Sequence, residues 1–516
     1  MELPPWSSLL GVVLFLVAVL LRRRCSTSSS RKYTLPPGPR PWPVIGNLNL
    51  IGPLPHRSMH ELSTRYGPLM SLRFGSYPIV VGSSVDMAKF FLKTHDLVFL
   101  DRPALASARY ILYNSDVLWA SYGPYWRQGR KLFQNELLSA GQMKSTEHIR
   151  IEEVRCMLRE MSAAASRNGG AVVLKDHLSM ASFNIVSRMA LGKKYIFDGA
   201  GSLMPPEAFR WMIQEFFFLN GVFNVGDVIP WLSFLDPQGY IKRMKRLSKM
   251  FDPFLEHVLV EHSEQRRRQG GGFVPRDMVD QLLQLADDAS LDVPIERDGI
   301  KAFILDIIAA GSDTTAVAIE WALSELLRKP EAMAKATDEL DRVVGGGRLV
   351  TEADIPRLPY LEAVVKETMR VHPLAPLLTP RLSREDTSVG GYDIPAGTRV
   401  FVNVWAIARD RALWGDASED FRPERFVGSR VDVKGHDLEF LPFGSGRRMC
   451  PGLGLGMKMV HLMLANLLQA FVWRLPDGVG VDDLSMEEKF GLSMPRMVPL
   501  EAVPEPKLPA HLYDGP

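Results

Sequence analysis

Apolar positions along this chain fall into three regimes: one unbroken run near the start, a few short alternating stretches, and long segments at helical spacing. Leu3 to Leu21 carries no charge, and Leu9 to Leu21 is continuously apolar. A helix over that stretch is roughly 28 Å long, about a hydrocarbon core. The apolar core alone would also suit a cleaved signal peptide. Positive charge follows the run (Arg22, Arg23, Arg24), the residues before it are not basic, and no small-residue cleavage site is evident. Residues 1–24 are therefore expected to be a retained signal-anchor helix, with the arginine side in the cytosol. Residues 25–44 follow as a polar tether and a proline-rich hinge, Leu35 to Pro43, too rich in fixed φ angles for a helix.

Residues 45–516 show no repeat and no internal boundary, and are expected to be one catalytic domain. Met70–Phe74 and Ile79–Val81 predict a hairpin, as do the residues of Gly390–Val402 around Pro395-Ala-Gly397. Most of the rest is helical in pattern. Ile300–Leu327 is the longest periodic segment, with Phe303, Ile304, Ile307, Ile308, Gly311, Thr315, Ala318 and Ala322 on one apolar face. Leu361–Val371 is a second helix, stopped at His372-Pro373, and Gly452–Phe471 a third, with Pro451 in its first turn.

Composition narrows the class only a little. The 516 residues are 46% hydrophobic and 23% charged, and 61 basic against 59 acidic residues leave a charge of +2. That near-balance gives no nucleic-acid character. Cys25, Cys156 and Cys450 are too few and scattered for a disulfide framework, which fits a reducing compartment.

Chemistry concentrates in Phe443 to Gly452, read FGSGRRMCPG. Gly444 and Gly446 permit a tight turn close to a flat ligand. Cys450, at a helix start beside Arg447 and Arg448, is placed where a thiolate is favoured. A small core cysteine is the plain alternative for a lone Cys. A thiol-protease nucleophile lacks its local signature, and Gly452-Leu-Gly454-Leu-Gly456 lacks the spacing of a dinucleotide loop. In the Ile300–Leu327 helix, bulk thins at Ala309-Ala310-Gly311-Ser312-Asp313-Thr314-Thr315, where a glycine and hydroxyls would loosen the ladder and make room for a small guest. Trp126 and Arg130 share a helix face, as do Glu367 and Arg370. The Glu367 spacing recurs at Glu152/Arg155, Glu264/Arg267, Glu339/Arg342 and Glu419/Arg422, read as solvated surface pairs.

The pattern Phe443-x-x-Gly446-x-Arg448-x-Cys450-x-Gly452 resembles the haem-binding loop of the cytochrome P-450 superfamily. Five such residues coincide by chance at on the order of one in ten million positions. Ala310–Thr315 is similar to that family's oxygen-binding motif, Trp126/Arg130 to its WxxxR helix, and Glu367/Arg370 with Pro423-Glu-Arg425-Phe426 to its structural Glu–Arg–Arg network. The proline hinge and these motif forms look most like the plant microsomal branch of specialised metabolism.

The resemblance implies a mainly α fold, a helical prism with small β-sheets and one buried haem b. It implies Cys450 as the axial ligand of the iron, and Arg448, Arg381, Arg130, Trp126 and Phe443 as cofactor-binding residues. It implies that Thr314 hydrogen-bonds the oxygen substrate or its ordered water, and that Asp313 passes protons to the distal side. Arg102–Trp119, Phe216–Phe223, Phe303–Ala310, Leu374–Thr379 and Leu492–Pro495 align with substrate-contact regions. The implied activity is monooxygenation, using O2 and NADPH-derived electrons, of a hydrophobic plant metabolite, terpenoid or flavonoid/phenolic, by hydroxylation or oxidative cleavage. The implied partners are NADPH–cytochrome P-450 reductase, docking near Arg127, Lys131 and Arg447, and the endoplasmic reticulum membrane, with the catalytic domain in the cytosol. Two rivals stand beside it: a haem-thiolate isomerase or dehydratase independent of O2 and reductase, and a non-catalytic haem sensor or carrier.

Overall fold

The computed structural model describes residues 33–166, 170–288 and 291–514. The expected anchor at 1–24 and the tether at 26–31 lie outside the described residues. The described chain is mainly helical, with three small sheets. Strands β1 (Leu69–Phe74), β2 (Tyr77–Gly82), β3 (Val172–Val173), β4 (Arg381–Leu382), β5 (Thr387–Val389), β6 (Tyr392–Ile394), β7 (Arg399–Val402), β8 (Phe471–Arg474) and β9 (Glu501–Pro506) supply them. The largest sheet runs β1-β2-β7-β4, with β2 and β7 parallel and the outer pairs antiparallel.

The first hairpin forms as expected, with Phe74 opposite Tyr77. The second does not. β5 and β6 make a hairpin across Gly390-Gly391, both at positive φ, where glycine is the unstrained residue. The chain then turns again at Gly397 (φ 78°) and delivers β7 to the larger sheet instead. The proline-rich segment lies along β1: the Pro37 carbonyl accepts from Ser71 N–H at 2.8 Å and the Pro36 carbonyl from the Ser71 hydroxyl at 2.7 Å.

The helices that position the site are α1 (Pro124–Leu132), α2 (Leu174–Leu191), α3 (Pro206–Gly221), α4 (Arg297–Arg328), α5 (Pro359–Val371) and α6 (Leu453–Ala470). α4 is buried on nearly all sides, so its pattern is not a single apolar stripe against solvent. It passes by length and composition as a possible membrane span, yet it is the core helix of the fold. Gly311 serves this packing. A Cβ there would stand 2.7 Å from Val186 Cγ2 of α2, so the glycine admits a neighbouring helix and not a guest. α6 begins at Leu453 behind Gly452, and Pro451 sits in the turn before it.

Candidate active site

A cavity of about 300 Å³ lies under α4 and above the loop that carries Cys450. Each of the five segments expected to contact substrate sends side chains to its wall: Val117 and Leu118, Phe216 and Phe217, Asp306 and Ala310, Leu374 and Leu378, and Leu492 and Ser493. The wall is predominantly apolar. Phe303, by contrast, turns away and packs edge-on against Phe133.

The cysteine loop is shaped by backbone constraints. Gly444 and Gly446 both hold φ near +71°. At Gly446 a Cβ would meet the Leu92 carbonyl oxygen at 2.0 Å, so the close approach is to protein backbone. The Cys450 N–H donates to the Phe443 carbonyl at 3.0 Å, which closes the loop and points the thiol into the cavity. Neither flanking arginine is bonded towards the sulfur. Arg447 pairs with Asp96 at 2.6 Å, and Arg448 donates to the carbonyls of Leu100 (2.9 Å) and Ala120 (2.6 Å). Burial pushes the Cys450 thiol up, against the smaller opposing pulls of the Gly452 N–H and Arg130. The loop therefore does not by itself lower the thiol, contrary to the expectation from its position at a helix start.

Four guanidiniums converge on the cavity: Arg102, Arg130, Arg381 and Arg448. Arg102, expected at the start of a substrate-contact segment and not beside the cofactor residues, donates to the carbonyls of Thr379 and Pro380, each at 2.8 Å. Arg381 donates to the Ser445 carbonyl at 3.2 Å, but its Nη1 is buried with no partner among the described residues. Arg448 lies 4.2 Å from the Trp126 ring, whose indole N–H donates to the Val117 carbonyl at 3.1 Å. Burial drives all four guanidiniums below their usual range, Arg381 to about 10 and Arg448 to about 9, with mutual repulsion adding for Arg102 and Arg448. So many desolvated cations with an orphaned donor among them call for an anion of more than one charge at the cavity wall.

On α4, Asp306, Ala310 and Thr314 succeed one another at four-residue spacing and all line the cavity. The Thr314 hydroxyl donates back to the Ala310 carbonyl at 2.6 Å. Asp313 does not line the cavity. It is buried, ion-paired to Lys175 of α2 at 3.3 Å, and accepts a hydrogen bond from the Ser493 hydroxyl at 3.0 Å. Ser493 itself reaches the cavity wall, so it links Asp313 to that space. Neither Lys175 nor Ser493 carries a signal along the chain; each lies far from Asp313 in sequence.

Away from the cavity, Glu367 and Arg370 form a buried bidentate pair at 2.7 and 2.8 Å. Arg370 also donates to the carbonyls of Ala408, Ser418 and Asp420, and Arg425 reaches Glu367 at 3.3 Å. The other four Glu-x-x-Arg spacings do not pair in this way. Glu152 bonds Arg188 and Glu419 bonds Arg409. Glu264 bonds Arg268. Glu339 is not a surface group: it is buried and accepts the N–H groups of Tyr360 and Leu361 at the start of α5.

A cysteine thiol, converging guanidiniums and a hydroxyl-bearing helix thus share one apolar cavity, the makings of a site for an anionic, metal-bearing cofactor. The family model "Cytochrome P450" matches residues 36–498. The chain is 50% identical to the trimethyltridecatetraene synthase of Zea mays, covering 98% of this chain and 94% of that one. It is 49% identical to the dimethylnonatriene synthase of the same plant, covering 99% of each. It is 44% identical to a flavonoid 3'-monooxygenase of Petunia hybrida, covering 93% of this chain and 94% of that one. This protein belongs to the cytochrome P450 family and is a monooxygenase.

The family implies a haem with a thiolate ligand, and the residues present fit one. Haem carries two carboxylates, the dianion that the arginine cluster and the orphaned Arg381 Nη1 lack. Among the described residues, the only thiol on the cavity wall is that of Cys450.

Proposed function

We propose that this monooxygenase oxidises an acyclic isoprenoid alcohol and cleaves a carbon–carbon bond in it. The observation that carries this reading is the near-50% identity, over almost the full chain, to two enzymes named for acyclic polyenes. Their names count eleven and sixteen carbons, each four short of an isoprenoid length. A monooxygenase removes carbon by scission and does not add it. The polyene retains no oxygen, so the hydroxyl carbon leaves in the four-carbon fragment as a carbonyl. A predominantly apolar cavity suits such a guest.

The roles follow from placement. Cys450 would hold the iron, Arg130, Arg381, Arg448 and Arg102 the carboxylates, with Trp126 stacked on Arg448 and Phe443 against the ring. When bound, a thiolate-held haem would supply oxidation by O2, whose two oxygen atoms leave as water with two electrons from the substrate and two from NADPH. Thr314 orients oxygen or its water through its hydroxyl, once released from the Ala310 carbonyl. Asp313 holds a proton source within reach through Ser493, with Lys175 keeping its carboxylate in place. The apolar wall excludes stray water from these steps.

Electrons are supplied from NADPH by cytochrome P-450 reductase at the cysteine-loop face, where Arg127 and Lys131 are exposed. Arg447 offers less there, because Asp96 already neutralises it. The N-terminal anchor and proline segment hold the domain on the cytosolic face of the endoplasmic reticulum.

The test is turnover in microsomes with reductase, offering acyclic fifteen- and twenty-carbon tertiary allylic alcohols beside a flavanone and collecting headspace volatiles. Expected products are the eleven- and sixteen-carbon polyenes, dependent on NADPH and O2. Oxidation of the flavanone alone would replace the terpenoid reading, and turnover without NADPH would replace the monooxygenase mechanism by an isomerase or dehydratase.

A further inference from the structure

Among the residues that line the cavity, one carries a carboxyl group, Asp306, and no role above uses it. It sits on α4 one turn before Ala310 and two turns before Thr314, on the same helix face. Along the axis that places it ~6 Å from Ala310 and ~12 Å from Thr314. Its Oδ2 accepts the Val117 N–H at 2.8 Å, so the side chain is fixed in direction and also braces the loop that carries Val117 and Leu118. A carboxyl group in an apolar wall, held rigidly and open to the cavity, is expensive to desolvate unless something meets it.

We propose that Asp306 is a hydrogen-bonding subsite for the hydroxyl group of the guest, setting which end of an otherwise apolar molecule lies under the Ala310–Thr314 edge. Burial, with the nearby Asp116 carboxyl adding to it, raises this carboxyl well above the usual carboxylate range against the pull of the Val117 and Leu118 N–H groups, which favours the protonated form. Asp116 is itself pushed up to about 7 by burial, against the N–H groups and the cations Arg448 and Arg102 that pull it down. A protonated carboxyl has an O–H to donate and acceptor capacity beyond the bond to Val117. It therefore both gives to and takes from an alcohol, whereas a hydrocarbon leaves its O–H without an acceptor and only the bonds from the loop N–H groups in place. That asymmetry is how a buried polar group separates a substrate from its deoxy analogue. The guest being an isoprenoid alcohol rests on the function proposed above; the subsite requires only a hydroxyl.

The experiment titrates haem-loaded enzyme and follows the Soret change with two matched pairs. One is a fifteen-carbon acyclic tertiary allylic alcohol with its deoxy hydrocarbon, the other a hydroxylated flavanone with unsubstituted flavanone. Wild type is expected to prefer the oxygenated member by ~10-fold or more. Asp306→Leu should abolish that preference. Asp306→Asn, which still accepts from Val117 and donates through its amide, should keep most of it. A preference confined to the flavanone pair and lost in Asp306→Leu upholds the subsite and overturns the terpenoid reading. Equal weakening of both members of a pair, or a preference unchanged in Asp306→Leu, reduces Asp306 to a brace for the loop and overturns the proposal. Because the leucine variant removes that brace, an infrared difference measurement on wild type stands beside it. The carboxylic C=O band that is missing in Asp306→Asn should shift when alcohol is added and not when hydrocarbon is added; no shift overturns the proposal without needing the leucine variant to fold.

Discussion

Two clusters of buried arginines occupy this fold and differ in how they are neutralised. Around Glu367, Arg370 has its carboxylate in a bidentate grip, and three backbone carbonyls and Arg425 complete the network. Around the cavity, Arg102, Arg130, Arg381 and Arg448 repel one another, and Arg381 Nη1 has no acceptor among the described residues. The first cluster is complete within the protein. The second is short of negative charge and is completed from outside. A saturated charge network reads as architecture and an unsaturated one as a binding site, even when the residue type is the same.

The contrast can be broken in order of expected effect. Cys450→Ala should remove the long-wavelength band of the reduced CO complex and all turnover, since among the described residues no second thiol lines the cavity. An imidazole-type band in native protein would instead defeat the thiolate assignment. Next, Arg370→Ala strands Glu367 in the core and should cost about 3–5 kcal/mol, read as a lowered midpoint in urea unfolding. Arg381→Ala should do the opposite in the haem-free protein. Removing an orphaned buried donor should leave stability equal or higher, while haem retention falls ~10-fold, measured by transfer to a haem acceptor. If both arginine variants destabilised the haem-free protein alike, the two clusters would not differ in kind.

Thr314→Ala leaves both clusters intact and is expected to keep haem and fold while product per NADPH falls severalfold and peroxide rises. Full coupling in that variant would remove Thr314 from the mechanism. The smallest effect concerns a third charged group that is also complete. Glu488 is bonded by His56 at 3.2 Å and Arg57 at 2.7 Å. Burial pushes its carboxyl up, but His56 and Arg57 together outweigh it and hold it at about 2. Its stabilisation is therefore full above the ordinary carboxylate range and fades as pH falls from about 4.5 towards 2. Glu488→Gln should flatten that part of the stability–pH curve, checked by thermal melts across it.

What was legible along the chain was whatever depends on short spacings. The Cys450 loop, the α4 and α5 helices and the Glu367–Arg370 pair each fit within a few turns, where backbone geometry dictates which side chains meet. Even there, the same four-residue pattern at Glu339 proved to be a helix cap, because burial is decided by neighbours and not by spacing.

The tertiary structure decided the rest. It bonded Arg447 to Asp96 and Arg448 to backbone carbonyls, and neither to the sulfur both flank. It assigned Gly311 to packing against Val186, brought Lys175 and Ser493 to Asp313, and sent the strand after Gly397 to another sheet. These outcomes share one cause. Desolvated charge and close-packed backbone are settled by whichever groups arrive from distant parts of the chain, and their identity is not encoded in any local window.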